Sequence, residues 1–287
     1  VTSAVTGQGI NCLRHYLANL PELSDTQKPF RYAIDRVFNV KGAGTVVTGT
    51  AFSGTVKVND ELYLSTGQKI RIKAIHAQNT SSEQGIAGQR LALNLNADLD
   101  RTPMKRGDWL LQNEPLPPTD RISVQILAEV PLNESQPVHI YHGASRTTGK
   151  LTLLQGKNAA KNDRTLAEII LDSPLFLAFG DKLILRSGDT KTLIAGAQVL
   201  EINSPKRHKR TEVRLNFLAN LALAENASQR IALTLLHNAT TARQLMWTEQ
   251  LTSLQLDKAL VERDAVRYQD WCFNTNYIQE KTQQILT

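Results

Sequence analysis

The chain is poor in the residues that many functions require. It has 2 cysteines in 287 residues, Cys12 and Cys272, far apart in sequence. They make neither a disulfide framework nor a Cys-x-x-Cys metal motif, so a reducing, cytoplasmic setting is expected. No apolar run reaches the roughly eighteen residues of a membrane-spanning helix, so no membrane partner is expected. The opening residues, Val1-Thr2-Ser3-Ala4, have no initiator Met, no basic start and no apolar segment, so they are not a signal peptide. They read as if cut from a longer protein. No Gly-x-x-x-x-Gly-Lys-Ser/Thr phosphate loop occurs. The nearest string, Gly143 to Leu151, is one residue too long and puts Leu151 where a magnesium ligand is needed. It reads as a turn between strands. His139 and His142 are three apart, so on a strand they face opposite ways and cannot share a metal. Neither cysteine has a recognisable His–carboxylate partner. No catalytic residue and no metal ligand is therefore assigned.

Positive charge is present in modest excess: 33 Lys and Arg against 27 Asp and Glu, a formal net charge of +6. That balance favours an anionic partner such as nucleic acid. Ser3 to Gly9 is a small glycine-punctuated loop, and Ile10, Leu13, Tyr16, Leu17 and Leu20 then recur at helical spacing. The polar stretch from Pro21 to Pro29 reads as a linker. From Phe30 to about Asn113 short alternating segments predict strands: Tyr32–Phe38, Thr45–Thr50, Leu62–Leu64, Ile70–Ile75 and Leu91–Leu95. Many short strands with turns between them predict a barrel or sandwich. Pro115-Leu116-Pro117-Pro118 is a stiff linker. A second β-rich domain follows and closes near Ile202. Lys206-Arg207-His208-Lys209-Arg210 is a basic hinge. Beyond it Leu215, Leu218 and Leu221, then Ile231 and Leu235, then Leu254, Leu256 and Leu260 mark three helices. With the aromatic segment Tyr268, Trp271 and Phe273 they suit a small winged-helix domain. Tyr277 to Leu286 begins another helix.

The string from Asp35 to Thr50, DRVFNVKGAGTVVTGT, is the most specific. Its glycines suit a tight turn, and Gly49 suits a bulge. The whole string resembles the start of the second domain of translational GTPases such as elongation factor Tu. Ala33–Arg36, Val40–Gly44, His76–Asn79, Ala87–Arg90, Arg106–Leu111 and Val138–Ser145 resemble the selenocysteine-specific elongation factor (SelB) family in particular. The resemblance covers nearly the whole chain, more loosely after residue 205.

That resemblance implies a mainly β chain with two tandem translation-factor barrels, then an α-helical winged-helix domain, after a short α/β remnant of a GTPase domain. Residues 1–28 would be the remnant and linker, 29–117 the barrel for the aminoacyl end, and 118–204 the barrel contacting tRNA. Residues 205–274 would be the first winged helix and 275–287 the start of a second. Ser3 and Ala4 match the family's last guanine-binding motif. Asp35, Arg36 and Arg90 match its selenocysteine pocket; without the resemblance, Asp35 and Arg36 read as a surface ion pair. Lys206, Arg207, Lys209 and Arg210 are candidate RNA contacts or solvated linker charge. The implied partners are selenocysteinyl-tRNA, the ribosome and, through a region not in this chain, an mRNA hairpin at a recoded UGA codon. GTP and Mg²⁺ would serve the whole protein, with neither expected on this chain. The alternatives are another tRNA-carrying translational GTPase, of elongation factor Tu or initiation factor type, or a barrel and winged-helix interaction protein with no tRNA role.

Overall fold

The computed structural model describes residues 1–20, 25–42, 44–78 and 80–286. Part of the linker read over 21–29, and Ala43 and Asn79 within the resembling strings, lie outside the described residues. The first helix, α1 (Ile10–Ala18), starts at Gly9, which has a positive φ of 70°. It buries none of its residues.

The first barrel is built on β1 (Arg31–Val40) and β2 (Gly44–Ser53), which pair antiparallel. β2 alternates as a half-buried strand should, with Thr45, Val47, Gly49, Ala51 and Ser53 turned inward. The strand order runs Glu61–Leu64, Trp109–Leu111, β1, β2, Arg90–Leu95, Lys69–Ala77. Glu61–Leu64 also pairs with Lys69–Ala77, which joins the ends into a ring. Tyr32, Ile34, Ile72, Leu93 and Leu95 fill the ring. The second barrel is closed by Thr119–Ala128, Arg164–Leu175, Ser145–Leu153, Ser135–His142, Lys182–Ser187 and Leu193–Ile202. Closure removes the free edges that would otherwise template aggregation.

The barrels share a core: Ala33, Trp109 and Leu111 of the first pack with the interior of the second. Arg31 donates two hydrogen bonds of 2.8 Å to Asp181, and both side chains are buried. The Arg31 guanidinium also lies 4.9 Å above the Trp109 ring. His142 stacks on the same tryptophan at 5.2 Å. Its Nε2 is 3.3 Å from Asp181 Oδ2, within ion-pair reach, although neither ring nitrogen has a hydrogen-bond partner among the described residues. Burial opposes ionisation of Asp181, but the charges of Arg31 and His142 override it and hold the carboxyl far below its ordinary range. His139 stays on the outer face while His142 is buried.

Four helices lie between the second barrel and the final hairpin. α2 (Glu212–Leu223) sets Leu218 and Leu221 against Leu154, Leu166 and Leu200 of the second barrel. α3 (Ala227–His237), α4 (Ala242–Glu249) and α5 (Ser253–Val261) follow. Thr240–Thr241, Trp271–Asn274 and Ala265–Tyr268 form a three-stranded sheet in that order, and α6 (Thr275–Leu286) comes last. The sequence shows three helical stretches here and misses α4. This helix is only eight residues long, and its Trp247 leaves the helical core for the barrel. There Trp247 Nε1 donates to the Leu177 carbonyl at 3.0 Å and the ring meets Phe176 edge-on. Of the three leucines that marked this last helix in the sequence, Leu254 is 79% exposed, while Leu256 and Leu260 are buried.

Candidate functional site

Pairing between β1 and β2 slips at one point: Ile34 faces Gly49 and Arg36 faces Thr48, so Asp35 is the extra residue of a β-bulge. In a regular strand, neighbours point to opposite faces of the sheet. The bulge resets that count and re-aims side chains. Asp35 is half-buried and Arg36 exposed, beside Thr48 on the outward side of β2. Gly49 makes room for the bulge. A Cβ there would lie 2.0 Å from the Ala33 carbonyl oxygen and 2.9 Å from Tyr32 Cζ. Below the surface, Tyr32 anchors the strands by donating to the Leu91 and Val47 carbonyls at 2.9 and 3.3 Å. Burial and the nearby Asp35 charge push its hydroxyl far above the ordinary range.

Arg90 opens the strand on the other side of β2, where its register partner is Thr50. β1 and the Arg90–Leu95 strand are thus about 10 Å apart, two strand spacings. The long arginine spans that gap over β2. Its Nη1 pairs with Asp35 Oδ2, and its Nη2 donates to Asp35 Oδ1 at 3.0 Å. Thr48 Oγ1 donates to the same Oδ1 at 2.8 Å. Arg90 holds the Asp35 carboxyl below the usual carboxylate range; Thr48 and the Arg36 charge add to this, and partial burial opposes it. Asp35 also stands at the edge of a cleft of about 250 Å³ between the barrels, with Thr50, Phe52, Arg106 and Gly143 among its lining. Arg106 Nε donates to the Ala144 carbonyl at 3.2 Å. Among the described residues neither Arg36 nor Arg106 has a carboxylate partner. The three charges at the bulge sum to one net positive charge on an open surface.

The sequence reading selected Asp35, Arg36 and Arg90 but passed over Thr48 and Arg106. Thr48 sits inside the glycine string and is signalled by strand parity alone, since it faces outward with Thr50. Ser3 and Ala4 occupy a tight turn before α1, in which Ser3 Oγ accepts from the Thr6 amide at 3.2 Å. The basic stretch divides. Lys209 Nζ lies 2.5 Å from buried Glu168, which Arg121 also contacts at 3.0 Å. Arg210 pairs with Glu134 at 2.6 Å and donates to the Leu153 carbonyl at 2.9 Å. Lys206 and Arg207 are exposed, with no carboxylate partner among the described residues. Among the described residues no group of three His, Cys, Asp or Glu could hold a metal ion. No helix there is long and apolar enough to cross a membrane.

Comparison with known proteins bears on this site. Residues 44–111, which carry the bulge partner strand and Arg90, match the profile of elongation factor Tu domain 2. Residues 119–206 match that of the selenocysteine-specific elongation factor β-barrel domain. A selenocysteine-specific elongation factor of Haemophilus influenzae is 96% identical over all 287 residues. The chain belongs to the selenocysteine-specific elongation factor family. An Escherichia coli member is 43% identical over 253 residues, 88% of this chain. The chain spans less than half the length of these relatives, 46% and 40%. In fold it matches a crystal structure of a bacterial selenocysteine-specific elongation factor with a TM-score of 0.74, over 99% of this chain and 46% of that one, at 23% identity. The apo form of SelB from Methanococcus maripaludis matches with a TM-score of 0.59 and 25% identity, over 71% of this chain and 50% of that one. Members of the family thus share the two-barrel frame that carries Asp35, Arg36 and Arg90 here.

Proposed function

We propose that this chain is the aminoacyl-binding and tRNA-carrying part of a factor that delivers selenocysteinyl-tRNA to the ribosome at a recoded UGA codon. The observation that carries the reading is the outward cluster of Asp35, Arg36 and Arg90, with its net positive charge. Selenocysteine differs from serine chiefly in its selenol, which is acidic enough to ionise at neutral pH. Arginine stays protonated there, so it offers a fixed charge to a selenolate. A pocket built for serine has no use for that charge.

The rest of the proposal follows the same frame. Residues 29–117 hold the aminoacyl end and 118–204 contact tRNA. Residues 205–274 contain a winged helix, supported by the order α3, strand, α4, α5 and a two-stranded hairpin. Within it, α2 serves as a brace on the second barrel. Ser3 and Ala4, in the remnant 1–28, lie against guanine in the whole factor, where GTP and Mg²⁺ provide the timing switch. Residues 275–287 lead into a second winged helix, toward the region that meets an mRNA hairpin. Lys206 and Arg207 are the cations of the basic stretch proposed for RNA, because Lys209 and Arg210 already have carboxylates. The test is competition among selenocysteinyl-, seryl- and methionyl-tRNA for a whole-length factor carrying this segment, with GTP. Preference for the selenocysteinyl species is expected. Preference for methionyl-tRNA would assign the chain to initiation, and absence of tRNA binding would remove the carrier role.

A further inference from the structure

We infer that Thr48 is a positioning residue of this pocket: its hydroxyl fixes the Asp35 carboxylate and so keeps the remaining Arg90 donors free for an anion. The inference rests on the aminoacyl-pocket reading above. It starts from a count of hydrogen-bonding sites. Each oxygen of an ionised carboxylate offers two acceptor sites. Asp35 Oδ1 uses both, one for Thr48 Oγ1 and one for Arg90 Nη2. Among the described residues Oδ2 takes Arg90 Nη1 alone, which leaves it one open site. Arg90 has five N–H groups and gives two of them to Asp35. Its side chain is 57% exposed, so the other three remain available to solvent or a ligand. The pair therefore presents one free acceptor next to free donors.

An aminoacyl ester of selenocysteine matches that arrangement. It carries an ammonium on Cα and a selenolate on the adjacent Cβ. The ammonium donates to Asp35 Oδ2, and the selenolate accepts from Arg90, with exposed Arg36 adding charge. A seryl ester has the ammonium but not the anion. Thr48 matters because a carboxylate on a single bond can turn. Without the hydroxyl, the carboxylate, already on Nη1 and Nη2, is free to turn toward the remaining Arg90 donors and sets its own charge where the selenolate would sit. Loss of Thr48 thus lowers the preference for an anionic side chain more than it lowers ammonium binding. Threonine is also common in strands for packing alone, and that role would affect both esters equally.

The experiment measures selenocysteinyl- and seryl-tRNA binding to a whole-length factor carrying this segment, with GTP, as wild type, Thr48→Val, Thr48→Ser and Arg90→Ala. Valine keeps the shape and removes the donor; serine keeps the donor. The net worth of one ordinary hydrogen bond predicts that Thr48→Val lowers the selenocysteinyl-to-seryl ratio about three- to tenfold, with Thr48→Ser within about twofold of wild type. An unchanged ratio in Thr48→Val, while Arg90→Ala lowers it, would overturn this inference and leave the pocket standing. An unchanged ratio in both would overturn the pocket as well. Equal loss of both tRNAs in Thr48→Val would show a structural role only, and that too overturns the inference.

Discussion

Gly49 has no space for even one more carbon, since its Cβ would meet the Ala33 carbonyl oxygen at 2.0 Å. Gly49→Ala is expected to destabilise by about 1–3 kcal/mol, as overpacked sites do, read as a lower urea midpoint at unchanged slope. Asp181 offers a second residue-level test. Its folded-state pKa is depressed, so its contribution is present above the unfolded value, about 3.9, and is lost as pH falls through the folded one. Stability should therefore fall below about pH 4 in the wild type, and fall less steeply in Asp181→Asn. That variant also leaves Arg31 buried without its partner, a loss of about 3–5 kcal/mol at neutral pH. Gly49 stood out in the sequence as a bulge position, whereas Asp181 did not. The partners Arg31 and Asp181 are 150 positions apart, and nothing local marks either as buried.

Strands and helices were legible in unequal measure. The barrel strands announced themselves by alternation, and the glycine string located β1 and β2 to within a few residues. Gly49 marked a bulge, but not that its extra residue is Asp35 on the partner strand, because counting by twos sets Asp35 and Arg36 on opposite faces. Only the slipped register shows how both come to flank Thr48. The short α4 was missed for a related reason. Its largest apolar residue, Trp247, packs with the second barrel and so breaks the helix's own periodicity. The sequence also presents Lys206 to Arg210 as a free hinge. Lys209 and Arg210 instead fold back onto the second barrel, and Trp247 docks the helices to it. Trp247→Ala is expected to cost about 3–5 kcal/mol, the range for emptying a large aromatic site. Amide hydrogen exchange should then quicken at Phe179, whose N–H donates to the Thr248 carbonyl at 2.9 Å. Unchanged exchange there would mean that the helices stay docked without the indole.

At the scale of the whole molecule the proposed ligand is RNA. Binding should weaken with salt at a slope of roughly 0.7–0.9 per phosphate neutralised. Replacing Lys206 and Arg207 with Ser should flatten the slope by the equivalent of about one or two phosphates. Replacing Lys209 and Arg210 should leave it nearly unchanged. A flattened slope from the second pair would mean that those ion pairs open on RNA. The central claim is that Arg36 and Arg90 read the charge of the selenol. Its most direct test is the affinity of selenocysteinyl- and seryl-tRNA for a whole-length factor carrying this segment, wild type against Arg36→Ala and Arg90→Ala. A charge-assisted contact predicts a ten- to a hundredfold loss, roughly, for selenocysteinyl-tRNA with seryl-tRNA little affected. Equal losses for the two tRNAs would contradict the claim.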